Sequence, residues 1–101
     1  MSAPGNSTTA FSLQENGNNE SWYVYIVRCR DNSLYTGITK DLKKRIFEHN
    51  SGANGARYTR SRRPVALVYS EQASSRSVAA SRECHIKKLN TLQKHQLVKH
   101  P

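Results

Sequence analysis

This sequence predicts an α/β domain of three strands and three helices in the order β-β-α-β-α-α, and three observations carry that reading. A dense β-branched and aromatic run starts abruptly at Trp22, a turn-forming Asp31-Asn32-Ser33 separates it from a second such run, and two later stretches place apolar residues at helical spacing. With 101 residues the chain has room for one compact domain. Residues 1–20 are rich in Ser, Thr, Asn and Gly, with Phe11 and Leu13 as the large apolar residues after Met1, so they are expected to form a disordered tail ahead of a domain over residues 21–101.

The first strand is Trp-Tyr-Val-Tyr-Ile-Val-Arg-Cys from Trp22, apolar enough to be buried on both faces. Leu34 to Thr39 forms the second strand and closes a hairpin. Side chains alternate across a strand, so Tyr25 and Tyr35 share a face only if facing residue numbers sum to an even value, as when Arg30 faces Leu34. Thr39 is the expected N-cap of the first helix, with Asp41 in its first turn. Leu42, Ile46 and Phe47 give that helix an apolar side until Gly52 stops it. Ser51 to Pro64 holds two glycines and four arginines without apolar periodicity and reads as an exposed basic loop. Val65 to Tyr69 is a third strand. Val78, Ala79, Arg82, Ile86 and Leu89 follow on a helix from Ser75, and Thr91 is placed as the cap of a last helix carrying Leu92, Leu97 and Val98.

No apolar run approaches the length that crosses a bilayer, and the first residues lack a secretory signal, so a cytoplasmic protein without membrane contact, most simply a monomer, is expected. Cys29 and Cys84 do not make a disulfide framework, and neither they nor the four His fall at zinc-site spacing. Charge says more. Setting aside the tail, which holds Glu15 and Glu20 but no Lys or Arg, leaves 16 basic and five acidic residues, a net of +11. Such a density attracts polyanions, and neutralising phosphates with Lys and Arg is the main source of non-specific affinity for nucleic acid. Lys43, Lys44, Arg57, Arg60, Arg62, Arg63 and Lys87 are the candidate phosphate contacts.

Among residues able to do chemistry, Arg45 and His49 are one turn apart on the first helix and share a side of it. Spacing alone reads them equally well as a surface charge and a residue suited to the helix dipole. Glu83 is one of few carboxylates in a basic domain. Its two readings are a helical ion pair with Lys87 and a ligand for Mg²⁺, which is commonly held by one or two carboxylates with water and phosphate completing its shell. Tyr25 and Tyr35 read as packed strand aromatics.

Taken in order, Tyr23-Val24-Tyr25, Tyr35-Thr36-Gly37, Arg45-x-x-x-His49 and Glu83 resemble the signature of the GIY-YIG nuclease family, most closely its small single-domain bacterial YhbQ-type branch. The similarity runs from Trp22 to about Val98. It implies a three-stranded, mainly antiparallel sheet flanked by helices, and a metal-dependent endonuclease acting on DNA, with RNA left open, in repair or nucleic-acid processing. The roles implied are Tyr25 as general base or water-orienting phenol, Tyr35 as its partner, and Arg45 on the scissile phosphate. His49 would assist the tyrosine proton or bond the phosphate, and Glu83 would hold one Mg²⁺ or Mn²⁺. Tyr23 stands where the family has its first Gly, and Thr36 where it has Ile; neither change removes a catalytic group. A non-catalytic nucleic-acid-binding module of the same fold is the alternative, because fold does not establish activity.

Overall fold

The structure, a computed structural model, describes residues 21–99; the expected tail lies outside them. Strands β1 (Trp22–Arg28) and β2 (Leu34–Thr39) are followed by helices α1 (Leu42–Asn50) and α2 (Arg57–Arg60), strand β3 (Ala66–Ala73), and helices α3 (Arg76–Lys87) and α4 (Thr91–Lys99). The sheet is antiparallel throughout, in the order β2-β1-β3. β1 is therefore central. Its four consecutive buried residues Val24 to Val27 match a strand covered on both faces.

Val24 and Ile26 point to one face and pack with Ala73, Ala79 and Ile86, with Leu89 from the turn after α3 and Leu97 and Val98 from α4 closing the cluster. Tyr25 and Val27 point to the other face and meet Cys29, Val65, Tyr35, Leu42 and Ile46 beneath α1. On β3 the partners of Ile26 and Val27 are Tyr69 and Leu67, which leaves Val68 as an extra residue. That bulge lets Val68 and Tyr69, adjacent in sequence, pack against the same apolar cluster.

The hairpin register has the even parity that puts Tyr25 and Tyr35 on one face. Arg28 rather than Arg30 faces Leu34, however, and Cys29 to Ser33 form the longer turn. Asn32 adopts a φ of 70° there, a conformation Asn tolerates better than most residues. Asp41, not Thr39, caps α1 by accepting from the Lys44 N–H, while the Thr39 hydroxyl accepts from the Asp41 N–H. Gly52, at φ 67°, lies just past the end of α1 as expected. Asn90 rather than Thr91 caps α4: its side chain accepts from the Gln93 N–H, and the Gln93 side chain accepts from the Asn90 N–H, a reciprocal capping box.

Three further expectations are corrected. Phe47 and Leu92 point to solvent rather than into the core, because each helix has only a narrow packed stripe. β3 runs to Ala73, four residues past Tyr69, paired along the whole length of β1. The supposed loop after α1 contains α2 and is anchored along its length. Asn50 exchanges two hydrogen bonds with the Val65 backbone, and the Arg30 N–H donates to the Arg62 carbonyl. No described helix is long and apolar enough to cross a membrane.

Candidate active site

Tyr25 sits at the centre of the sheet with its ring over Gly37, the residue it faces on β2. A Cβ at that position would lie 2.5 Å from the Tyr25 Oη, so only glycine lets the phenol occupy this place. The Oη is 2.7 Å from His49 Nε2, and both residues are buried, 1% and 0% exposed. His49 reaches the phenol from the last turn of α1, and its Nδ1 lies 2.9 Å from the hydroxyl of Thr59 on α2. Thr59 is itself fully buried, and its hydroxyl donates to the Ala56 carbonyl at 3.0 Å. Tyr35 sets its ring edgewise against His49, centroids 5.4 Å apart, and stacks on Tyr58, which carries the Arg62 guanidinium at 4.0 Å from its centroid.

Arg45, one turn before His49, donates to the Glu48 carboxylate at 3.0 Å and to the Asn54 carbonyl at 2.8 Å, which holds its guanidinium beside Tyr25. These placements fix the electrostatics. Burial raises the Tyr25 pKa above its ordinary value; Arg45 opposes the rise, while Tyr35 and Glu83 add to it. Burial lowers the His49 pKa to about 4, with the positive charges of Arg45 and Arg63 acting in the same direction and Glu48 against it. Burial alone would lower the Arg45 pKa, but Tyr25 and Glu48 together outweigh it and raise it. The resting site is therefore a neutral phenol bonded to a neutral imidazole, next to a permanent cation.

Tyr25, Tyr35, Arg45 and His49 thus form one cluster although they come from two strands and a helix. Glu83, on α3, is near enough for its charge to act on Tyr25, and it pairs with Lys87 through Oε2 at 3.1 Å. The ion pair and a place near the phenol, alternatives when read from spacing, are both present. Among the described residues no three His, Cys, Asp or Glu side chains gather in a way that could hold a metal. Both His49 nitrogens are engaged, and each nearby carboxylate is ion-paired, Glu48 with Arg45 and Glu83 with the half-exposed Lys87, whose flexible ammonium is the easier of the two cations to displace. A single carboxylate fits the donor set of a hard cation such as Mg²⁺, which keeps water and phosphate oxygens, better than that of zinc.

The basic residues divide in two. Lys43, Lys44, Arg57 and Arg60 are exposed, and Lys44 lines with Lys40, Trp22 and Arg45 a shallow cleft of about 330 Å³. Arg62 and Arg63 are not displayed on a loose loop as expected. Arg62 pairs with Asp31 at 3.1 Å and donates to the Tyr58 carbonyl. Arg63 donates to the carbonyls of His49 and Gly52 at 2.6 and 2.8 Å, clamping the end of the helix that carries His49. Composition could not separate these roles. Thr59 also went unread, although Ala56 to Arg60 is free of Gly and Pro and so could have been suspected as a helical turn.

A three-stranded antiparallel sheet between helix layers, with a buried tyrosine–histidine pair beside an arginine, defines a small α/β domain with a polar, hydrogen-bonded site on one face of its central strand. The pattern of the GIY-YIG catalytic domain matches residues 21–96, and the chain belongs to the GIY-YIG family, a nuclease superfamily. It is 60% identical over 79 residues to the UPF0213 protein DP2720 of Desulfotalea psychrophila, covering 78% of this chain and 72% of that one. Over 76 residues it is 54% identical to the UPF0213 protein SH2523 of Staphylococcus haemolyticus, covering 75% and 92%. The solution structure of EF2693 from E. faecalis superposes with a TM-score of 0.56 at 43% identity, covering 85% of this chain and 88% of that one. That of the UPF0213 protein BH0048 from Bacillus halodurans gives 0.51 at 44%, covering 78% and 83%.

Proposed function

We propose that this chain is an endonuclease that hydrolyses phosphodiester bonds of DNA with one Mg²⁺ or Mn²⁺ ion, in DNA repair or processing. The observation that carries this reading is the buried 2.7 Å contact between Tyr25 Oη and His49 Nε2 beside Arg45. Packing alone does not need a buried polar pair, whereas a proton relay next to an anion site does.

Arg45, kept in place by Glu48 and Asn54, holds the scissile phosphate and stabilises the charge that develops on it. Tyr25 orients the attacking water and takes its proton as its own passes to His49. With the His49 pKa lowered to about 4 and that of Tyr25 raised by burial, full transfer in the resting protein is strongly uphill. Free phenolate therefore does not accumulate, and both proton movements accompany attack. Phosphate bound at Arg45 offsets part of the positive field that depresses His49, which makes the imidazole more basic when substrate is present. Glu83 would hold the divalent ion, which supplies Lewis-acid charge at the phosphoryl oxygens. Lys44, Arg57 and Arg60 contribute sequence-independent attraction to the backbone.

The test is incubation of the purified chain with defined DNA and RNA duplexes, single strands and branches, with Mg²⁺, Mn²⁺ or EDTA, beside Glu83→Gln. Cleavage is expected with metal and lost in the folded variant, while metal-free DNA binding persists or tightens. Unchanged cleavage by Glu83→Gln would end the single-ion mechanism. Binding without cleavage by the wild type under every condition would instead establish a non-catalytic binding module.

A further inference from the structure

We propose that Thr59 is a positioning residue of this site, holding the His49 imidazole in the tautomer that can receive the Tyr25 proton. The inference rests on the hydrolytic reading above and adds to it a residue outside the family signature quoted from the sequence.

The argument is one of donors and acceptors. A threonine hydroxyl has one hydrogen, and Thr59 directs it to the Ala56 carbonyl at 3.0 Å. Toward a second partner that oxygen then only accepts. The partner is His49 Nδ1 at 2.9 Å, so Nδ1 carries the hydrogen. In a neutral ring Nε2 is then bare, and the 2.7 Å contact is Tyr25 O–H donating to Nε2. The Ala56 carbonyl also receives the backbone N–H groups of Thr59 and Arg60, so it would not be orphaned if the network ran the other way. The opposite end decides the direction. Arg45 beside Tyr25 is a donor only, and among the described residues no side chain but His49 is placed to accept from the phenol, so a reversed network would leave the phenol hydrogen to solvent. A donor-only guanidinium at one end and an acceptor-only carbonyl at the other orient the three hydroxyl and imidazole hydrogens between them.

The groups facing His49 are Tyr25 and Tyr35 from the sheet, Arg45 and Glu48 from α1, and Arg63 after α2, while Glu83 acts on Tyr25 from α3. During hydrolysis the water oxygen bonds phosphorus and its proton passes to Tyr25 Oη. The Tyr25 O–H bond breaks, and that proton joins Nε2. The bridging oxygen leaves with the P–O electron pair and is protonated by solvent. His49 then returns its proton through Tyr25 to solvent. Throughout, Nδ1–H stays on the Thr59 oxygen. Without that oxygen the Nε2–H tautomer competes, and its hydrogen occupies the position the Tyr25 proton must enter.

Thr59→Val keeps the shape and removes the acceptor, and Thr59→Ser keeps the acceptor. On a fluorescent branched DNA with Mg²⁺, kcat for Thr59→Val is expected to fall about 10²-fold with KM little changed, the scale of a lost general base, and Thr59→Ser should recover most of it. Long-range ¹H–¹⁵N spectra of the imidazole should show Nδ1–H in the wild type and in Thr59→Ser, and Nε2–H or a mixture in Thr59→Val. A purely structural Thr59 predicts a lower melting temperature with unchanged kcat below it, and that result overturns the proposal. Nε2–H in an active wild type overturns it alone, whereas a wild type that cuts nothing overturns the hydrolytic reading and this inference with it.

Discussion

The two faces of β1 present adjacent residues to opposite kinds of interior. Val24 and Ile26 enter an apolar cluster closed by α3 and α4, where nothing but volume and burial matters. Tyr25, between them in sequence, enters a region in which each buried polar atom is answered by another: phenol by imidazole, imidazole by hydroxyl, hydroxyl by carbonyl. The first face supplies stability that does not depend on direction. The second supplies direction, at the risk that one missing partner leaves a desolvated polar group, which costs about 1–3 kcal/mol. The contrast suits the proposed relay to the face under α1 and α2, since such a relay requires groups with fixed hydrogen positions and apolar packing cannot fix them.

The largest effect should come from breaking the apolar face. Ile86 is 0% exposed, and Ile86→Ala removes three buried carbons from a small core, so a loss of about 2–5 kcal/mol is expected. Urea denaturation reads the loss directly. Well below the melting temperature the cleavage rate should stay near wild type, because no Ile86 atom belongs to the relay. Equal losses of activity and stability there would show that the two faces are not separable.

A smaller effect marks the polar face through pH. His49 has a pKa of about 4 in the folded chain against an ordinary 6.5, so between those values the unfolded chain binds a proton that the folded chain does not. Its contribution is complete above pH 6.5 and is lost as pH falls toward 4, by at most about 3 kcal/mol. Urea midpoints of wild type and His49→Gln at pH 7.5 and 4.5 should therefore converge at the lower pH. A constant gap between them would mean that His49 is not held neutral by its surroundings.

The smallest stability change should come from the exposed arginines. Arg57→Ala with Arg60→Ala is expected to alter stability by no more than about 0.5 kcal/mol while weakening DNA binding for every sequence and flattening its salt dependence. Arg63→Ala should do the reverse, destabilising the end of α1 through the carbonyls it leaves, with little change in salt slope. Matching salt slopes for the two variants would erase the division between displayed and structural arginines.

Local chemistry sufficed for much of this protein. The Trp22 run read as a strand buried on both faces or nearly so, the parity argument gave the condition under which Tyr25 and Tyr35 share a face, and helical spacing put Arg45 and His49 on one side of α1. Charge counting pointed toward a polyanion partner, and an ordered motif marked the family, because both are properties of residue type and spacing. Tertiary structure decided what depends on which groups meet. It converted a presumed loop into α2, took Arg62 and Arg63 away from the displayed basic surface, and turned Phe47 outward. It also brought Thr59 to His49 and Glu83 within electrostatic reach of Tyr25. Thr59 follows His49 by ten residues across a turn with no periodicity, so its hydrogen bond is set by how α2 folds back on α1 and by the burial that removes water as a competing partner.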